Sequence, residues 1–469
     1  MDGLGDAVTT ALRRRPGVGL VLLNLSAWIR RQDWLRAIYR YLPVGFRTAV
    51  SRALAQRASR QVRFRRTARW RAVGASPAPE ARMARQPEAA RGGSGVNIFA
   101  YVRGQFGLAE SARLYTRALL HGGFPVALYD IPLDLAHNMD DPSLDDFIGP
   151  DTPHPVNLVF VNPDYLDAAR AAIGPEKLGG RYTIGCWFWE LENFPTEWLP
   201  ALAHVDEIMV SSEFVRDLVR RVTDKPILHV PLPVLENPDS GLLRSDFGLR
   251  DDDYVFLTSF DFNSFMDRKN PMAVIRAFHL AFGEGSDRVR LLIKTSNGHR
   301  HPGRLRELLD VASSDPRILV RDEVIEREHV QALQRCADAY VSLHRAEGFG
   351  LGLAECMRSG KPVIATGWSG NMEFMTPENS FLVSCDLVPV GPGEYLYAEG
   401  QRWADPDVAQ AAHYMRQLAD DPALGRRVGE RASRDIRENL AASLIAQRLA
   451  SRLAEIHQSG LAAGHSASC

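Results

Sequence analysis

"AYVSLHRAEGFGLGLAECMRSGKPVIAT", residues 339–366, carries in one stretch the pattern that decides the fold. "AYVSLH" reads as a buried strand. "RAEGFG" reads as a loop, and "LGLAECMRSG" as a short helix over 351–359 stopped by Gly360 as its C-terminal cap. "PVIAT" is the next strand. Strand, loop, helix and strand in that order make the repeating unit of a parallel α/β sheet. The stretch also poses a chemical question, because Glu347 and Glu355 flank the glycines Gly348, Gly350 and Gly352.

The same alternation extends outward. It begins at "YVFLTSFDF" (254–262) and continues with the helix "NPMAVIRAFHLAF", whose Pro271 suits a first turn. The strand "RVRLLIKTS", a helix near 303–312, the strand "RILVRD" and the helix "REHVQALQRCA" follow. Nearer the N-terminus, "VNIFAYV" (96–102) is a strand, and "RGQFGLAESARLYTRALLHGG" is a glycine-containing turn and an amphipathic helix. "FPVALYDI", "VNLVFVN" (156–162), "YTIGCWFW" (182–189), "EIMVSS" (207–212) and "PILHVPLPV" (226–234) read as further strands. The expected fold is α/β, two facing Rossmann-like doubly wound domains with a helical basic N-terminal extension. Ligands are expected at the carboxyl ends of the strands, in the cleft between the domains. The boundaries read as a basic amphipathic extension over 1–72, an Ala/Pro/Arg-rich linker over 73–94, an N-terminal domain over 95–235, a C-terminal domain over 236–440, and a last helix with tail over 441–469.

With 45% hydrophobic and 24% charged residues among 469, the chain is a globular protein with a sizeable core. A net charge of −1 conceals a basic arm: residues 1–93 hold 19 arginines, no lysine and 5 acidic residues, a net of +14, leaving −15 for the remainder. "SAWIRRQDWLRAIYRYL" puts Trp28, Ile29, Trp34, Leu35, Ile38, Tyr39 and Leu42 near one helical face with arginines interleaved, which suits an anionic membrane surface. Packing against the body is the plainer alternative. Nucleic acid is disfavoured, since the aromatics do not fall on a stacking sheet. "GVGLVLLNLSAW" follows three arginines as in a signal peptide, but no small-residue cleavage site follows it. No apolar run reaches 18 residues, so no transmembrane helix is expected. Cys186, Cys336, Cys356, Cys385 and Cys469 are scattered without a CxxC, which argues against a disulfide framework or zinc site and for a reducing compartment. A cytoplasmic protein, peripheral on the inner face of the membrane through residues 1–72, is the expectation.

If a helix starts at 351, the N–H groups of Phe349, Gly350 and Leu351 form an anion site, and glycine lets a phosphate approach closely. Carboxylates beside a phosphate make sense as acceptors for hydroxyls on either side of it, the layout of a nucleotide sugar. The plainer reading is a glycine-rich turn with solvated glutamates. In "GCWFWELENFP", Trp187, Trp189, Glu190 and Glu192 suit either carbohydrate stacking and hydroxyl binding or a tryptophan core with a capping glutamate. Glu110 and Arg113 are spaced to pair on a helix, while Arg103 and Arg113 are also candidates for phosphate or acceptor contact. His344 is either packed or in touch with donor or acceptor.

"EGFGLGLAE", "GKPVIATGWSGNMEF", "DEIMVSSEFVRDLV" and "DRKNP" together resemble the retaining GT-B glycosyltransferases of the family-four, or group 1, type, over about 95–440. The resemblance implies that Glu347 holds the donor sugar's hydroxyls, that the amides of Phe349, Gly350 and Leu351 hold the diphosphate, and that Glu355 holds the ribose hydroxyls. Lys269 matches the family lysine on the diphosphate. Arg268 assists, and Lys294 is a second candidate cation among only five lysines. The family's arginine five residues before that lysine is here Ser264. Gly104 and Gly107 occupy the place of the family's glycine loop, and Asn162 stands where the family often has a histidine. Trp189, Glu190, Asn162 and His344 are the candidate acceptor or sugar contacts. A retaining, metal-independent hexosyl transfer (mannose or glucose type) from a GDP- or UDP-sugar to a glycan or lipid-linked acceptor is implied, in cell-surface polysaccharide biosynthesis, with no cofactor beyond the donor. The last helix, about 441–457, is expected to return across the cleft. A non-catalytic nucleotide-sugar-binding or scaffold subunit of a glycan assembly complex is the alternative.

Overall fold

The computed structural model describes residues 53, 95–133, 135, 137–236, 240–283 and 288–461. The expected extension (apart from residue 53), the linker, the tail and the membrane-facing role given to 1–72 lie outside the described residues. Among the described residues, no helix is long and apolar enough to cross a membrane.

Two six-stranded parallel sheets form the framework. The first contains β1 (Val96–Ala100), β2 (Val126–Asp130), β3 (Val156–Val159), β4 (Tyr182–Cys186), β5 (Glu207–Val210) and β6 (Ile227–His229), in spatial order β2-β1-β3-β4-β5-β6. The second contains β7 (Tyr254–Asp261), β8 (Val289–Ser296), β9 (Ile318–Asp322), β10 (Ala339–Ser342), β11 (Val363–Thr366) and β12 (Phe381–Val383), in order β12-β11-β10-β7-β8-β9. The short hairpin of β13 (Cys385–Pro389) and β14 (Arg402–Pro406) is antiparallel. In each six-stranded sheet the winding reverses once, between β1 and β3 and between β7 and β10, and such switch points leave a crevice outside the strand ends. The two doubly wound sheets are the expected architecture.

The strands form because they can be buried on both faces: every residue of "VNIFA" in β1 is buried. Its one polar side chain, Asn97, is satisfied by the carbonyl of His154 at 2.7 Å and by Asn157 at 2.9 Å. Helices start where local chemistry supports them. α1 (Gly107–His121) follows β1, and α2 (Pro163–Ile173) opens on a proline. α3 (Glu213–Val219) is capped by Ser212, whose hydroxyl accepts the Val215 N–H. α4 (Pro271–Phe282), α5 (Pro302–Ala312), α6 (Arg327–Cys336) and α7 (Leu351–Arg358) cross over between strands of the second sheet. α7 ends as expected, with Gly360 at φ 73° and the Lys361 N–H returning to the Cys356 carbonyl at 3.0 Å. α8 (Val408–Asp420), α9 (Pro422–Asn439) and α10 (Ala442–Gln458) complete the chain.

The described residues divide into two compact units whose limits do not follow chain order. Those of Asp239–His344 and Asp407–Pro422 form one; those of Ala75–Pro238, Arg345–Pro406 and Ala423–Cys469 form the other. Within the larger unit α10 packs on α1, with Ala446 against Gly122. Arg452 of α10 grips Glu207 of β5 at 2.9 Å, and Glu207 is 1% exposed.

Candidate functional site

In the larger unit, Gly350 sits at φ 91° and starts α7 with no side-chain cap. That left-handed angle is open to glycine at little cost. Among the described residues, the N–H groups of Phe349 and Gly350 donate to no acceptor. They lie at the positive end of the helix dipole, a binding place for an anion. Glu347 and Glu355 flank this end, and both are buried. Phe349 is buried against Phe374, ring centres 5.1 Å apart, while Leu351 is half-buried.

A second turn fixes this loop. Ser369 holds φ 79°, a strained angle for a residue with a side chain, and its hydroxyl accepts the Glu347 N–H at 2.9 Å. Gly370 donates its N–H to the Glu347 carbonyl at 2.8 Å, and a Cβ there would collide with the Gly348 carbonyl. From the other side, the Ser212 hydroxyl donates to the Gly348 carbonyl at 2.7 Å. Glu373 then accepts the Glu213 N–H at 2.8 Å, and His229 lies between Glu213 and Glu373 at 3.0 and 3.1 Å. The loop around Glu347 is thus held by α3, β6 and the turn over 369–373. Ser212, Ser369 and Gly370 fall in segments already conspicuous in the sequence, "IMVSSEF" and "GWSGNMEF", but their partners follow from the fold alone.

The candidates of the first sheet stand as follows. Gly104 is buried, and a Cβ would strike the Phe106 ring; Gly107 opens α1 with free space beside it. Arg113 is a structural clamp: buried, it donates to the carbonyls of Val102 and Gly104 at 2.7 and 2.6 Å and pairs with Glu110 at 2.6 Å. Arg103 pairs with Asp130 and Asp145, each at 2.9 Å. Asn162 accepts the Phe188 N–H at 2.9 Å, tying the exit of β3 to that of β4. Trp189 is a core side chain, packed on Trp198, Tyr395 and Tyr397, with its indole N–H on the Asn193 carbonyl at 2.8 Å. Stacking a sugar on it would require this core to open. Its neighbour Glu190 accepts from the Tyr395 hydroxyl at 2.8 Å.

The smaller unit holds the candidate lysines, Lys269 and Lys294, and His344. β7 and β10 flank its switch point, and their exits are joined by Asn270, which donates to the Leu343 carbonyl at 3.0 Å. Phe265, at φ 64°, turns the chain from β7 into the helical turn Met266–Lys269. Lys269 ends that turn half-buried. Arg268 is buried, with its Nε on the Ser264 carbonyl at 3.2 Å. His344 is fully buried, 3.1 Å from the Ser342 hydroxyl. Lys294 of β8 is 8% exposed; burial pulls its ammonium down to about 8, against the attraction of Asp322, Asp261 and Glu323. Burial likewise raises the Asp322 carboxyl, which accepts the Gly298 N–H at 3.1 Å. Among the described residues, no group of three or more His, Cys, Asp or Glu side chains is placed to hold a metal ion.

Comparison with known proteins agrees with this framework. Residues 255–389 match the family described as Glycosyl transferases group 1. The trehalose synthase of Rubrobacter xylanophilus is 25% identical over 210 residues, 44% of this chain and 44% of that protein, so the match spans less than half the relative's length. The sucrose-phosphate synthase structure from Thermosynechococcus elongatus superposes with a TM-score of 0.58 at 16% identity, covering 78% of this chain and 100% of the other. Anabaena HepE in complex with UDP-glucose gives 0.54 at 14% identity, covering 77% and 99%. At such identities the structures speak for the fold only, which is GT-B. Residues 255–389 therefore resemble the glycosyl transferases of group 1, on a GT-B fold.

Proposed function

We propose that the protein transfers a hexose from a nucleoside-diphosphate sugar, a GDP- or UDP-sugar, to a hydroxyl of a glycan or lipid-linked saccharide. The observation that carries this reading is the uncapped start of α7 at Gly350 between two buried carboxylates, Glu347 and Glu355. The diphosphate takes the N–H groups of Phe349, Gly350 and Leu351. Glu355 accepts from the ribose hydroxyls, and Glu347 from those of the sugar. Lys269 neutralises charge on the leaving diphosphate, with Lys294 as the second cation. Residues 95–235 serve the acceptor and 236–440 the donor. The family resemblance further suggests retention. The acceptor oxygen forms its bond to the anomeric carbon on the face from which the diphosphate departs, and its proton passes to the departing phosphate oxygen. The protein supplies orientation and electrostatic support. The role in polysaccharide assembly and the membrane-surface location rest on the same resemblance and on the basic arm.

The test is a thermal-shift panel of GDP, UDP and their sugars on the wild type and Glu355→Ala. A ligand at 100 times its dissociation constant adds about 2.7 kcal/mol of stability. One nucleotide should shift the wild type and shift the variant much less. A flat panel on folded protein refutes the donor assignment. Binding without turnover in the presence of saccharide acceptors makes the chain a binding subunit instead.

A further inference from the structure

The switch point of the first sheet lies between β1 and β3, and the chain leaving each of these strands brings chemistry to the crevice outside them. Tyr101 follows β1. Tyr101 is 2% exposed, and its hydroxyl oxygen is buried with no hydrogen-bond partner among the described residues. An unpaired buried hydroxyl is costly, so a native one calls for an explanation. Burial is the main cause that raises the Tyr101 phenol; Asp164 and Tyr165, which follow β3 in the first turn of α2, raise it further. Asp164 is exposed as a residue; its carboxyl is raised first by desolvation in its surroundings and then by Glu190, after β4. Among the described residues, no cation pairs with Asp164. The Tyr165 ring is 51% exposed and meets no other ring there.

One more element reaches this place. The hairpin of β13 and β14 runs past the end of the segment that matches the family, at 389, and carries Tyr395 onto Glu190. Tyr395 also packs on Trp189, so the Glu190 carboxylate is held by a core-anchored ring.

We infer that Tyr101, Asp164, Tyr165 and Glu190 form a subsite for a neutral, hydroxyl-rich sugar ring, the acceptor's, with Tyr395 positioning Glu190. The inference rests on the transferase reading above and adds the acceptor's chemical class. The open face of Tyr165 stacks on the C–H face of a pyranose. Two carboxylates accept hydrogen bonds from its hydroxyls, and the orphan Tyr101 hydroxyl gains a partner. A second negative charge is unwelcome beside Asp164 and Glu190, so a uronic acid or sugar phosphate is rejected where the neutral sugar is taken.

The test is saturation-transfer NMR and titration of the full chain with methyl α-glucopyranoside and methyl α-mannopyranoside, and with glucuronic acid and glucose 6-phosphate at pH 7.5. Variants are Tyr165→Ala, Asp164→Asn and Tyr101→Phe, with GDP and UDP binding measured on each. At least one neutral glycoside should bind at least ten-fold more tightly than both anionic sugars. Tyr165→Ala should abolish that binding, and Asp164→Asn and Tyr101→Phe should weaken it several-fold, while nucleotide affinity stays within two-fold of wild type. Equal or preferred binding of the anionic sugars, absence of any glycoside binding, or indifference to Asp164 and Tyr165 overturns the inference even when nucleotide binds. Loss of nucleotide binding in the wild type counts instead against the donor assignment. Tyr165 is exposed, so its variant folds, and circular dichroism checks this.

Discussion

Replacing Lys294 by methionine removes a charge while nearly keeping the volume of a buried side chain. In the unfolded chain this lysine titrates near 10.5; in the fold, burial brings it to about 8. Below pH 8 both states hold the proton, and the folded chain bears the whole cost of a buried ammonium. Between 8 and 10.5 the unfolded chain binds a proton that the folded chain has released, so stability rises with pH. At about 1.4 kcal/mol per unit, the span is worth about 3 kcal/mol. Lys294→Met should therefore be more stable than the wild type at pH 7, by up to about 3 kcal/mol, and the advantage should fade as the pH approaches 10.5. Urea unfolding of both proteins at pH 7, 8, 9 and 10 measures this, and other titrating groups cancel in the difference. A gap that does not change with pH, or a variant less stable at pH 7, refutes the reasoning, since the lysine would then be paired by Asp261 and Asp322 rather than penalised. If Lys294 meets the donor diphosphate, the wild type should also take up a proton on binding nucleotide at pH 8.5, and the variant should not. Titration calorimetry in buffers of different ionisation enthalpy reads that uptake.

Other perturbations test other joints. Arg452→Met strands the buried Glu207 carboxylate and should cost about 3–5 kcal/mol in urea unfolding; pairing it with Glu207→Gln should recover a large part. Gly370→Ala pushes a methyl group into the Gly348 carbonyl and should lower nucleotide affinity at least ten-fold in the thermal-shift panel; an unchanged affinity would detach the 369–373 turn from the site. Phe265→Gly relieves a left-handed angle worth about 1–3 kcal/mol. It should leave the melting temperature unchanged or higher while weakening donor binding, because the turn that carries Lys269 loosens.

How much was legible beforehand differs by kind of residue. Strand and helix types came through wherever the pattern was strong, because hydrophobic period is a local property of the chain: "VNIFA" and "YVFLTSFD" are strands, and the helix after "EGFG" ends at Gly360. The glutamate pair and the glycines were visible because that chemistry is compact, within nine residues. Other roles were not readable from position. Trp189 read equally as sugar platform or core, and the rings of Trp198, Tyr395 and Tyr397 make it core. Arg113 read as an ion-pair partner or a phosphate ligand; it clamps two carbonyls of the glycine loop. Tyr101 and Asp164 carried no signal, being ordinary residues in their own segments. By itself, then, the sequence determined the element types, the doubly wound class and the glutamate-glycine-glutamate pattern, all written in neighbours along the chain. Only the tertiary structure decided which side chains are spent on packing and which keep an unsatisfied atom. That depends on partners such as Tyr395 on Glu190, 205 residues away, or Arg452 on Glu207, 245 residues away, which no local pattern encodes.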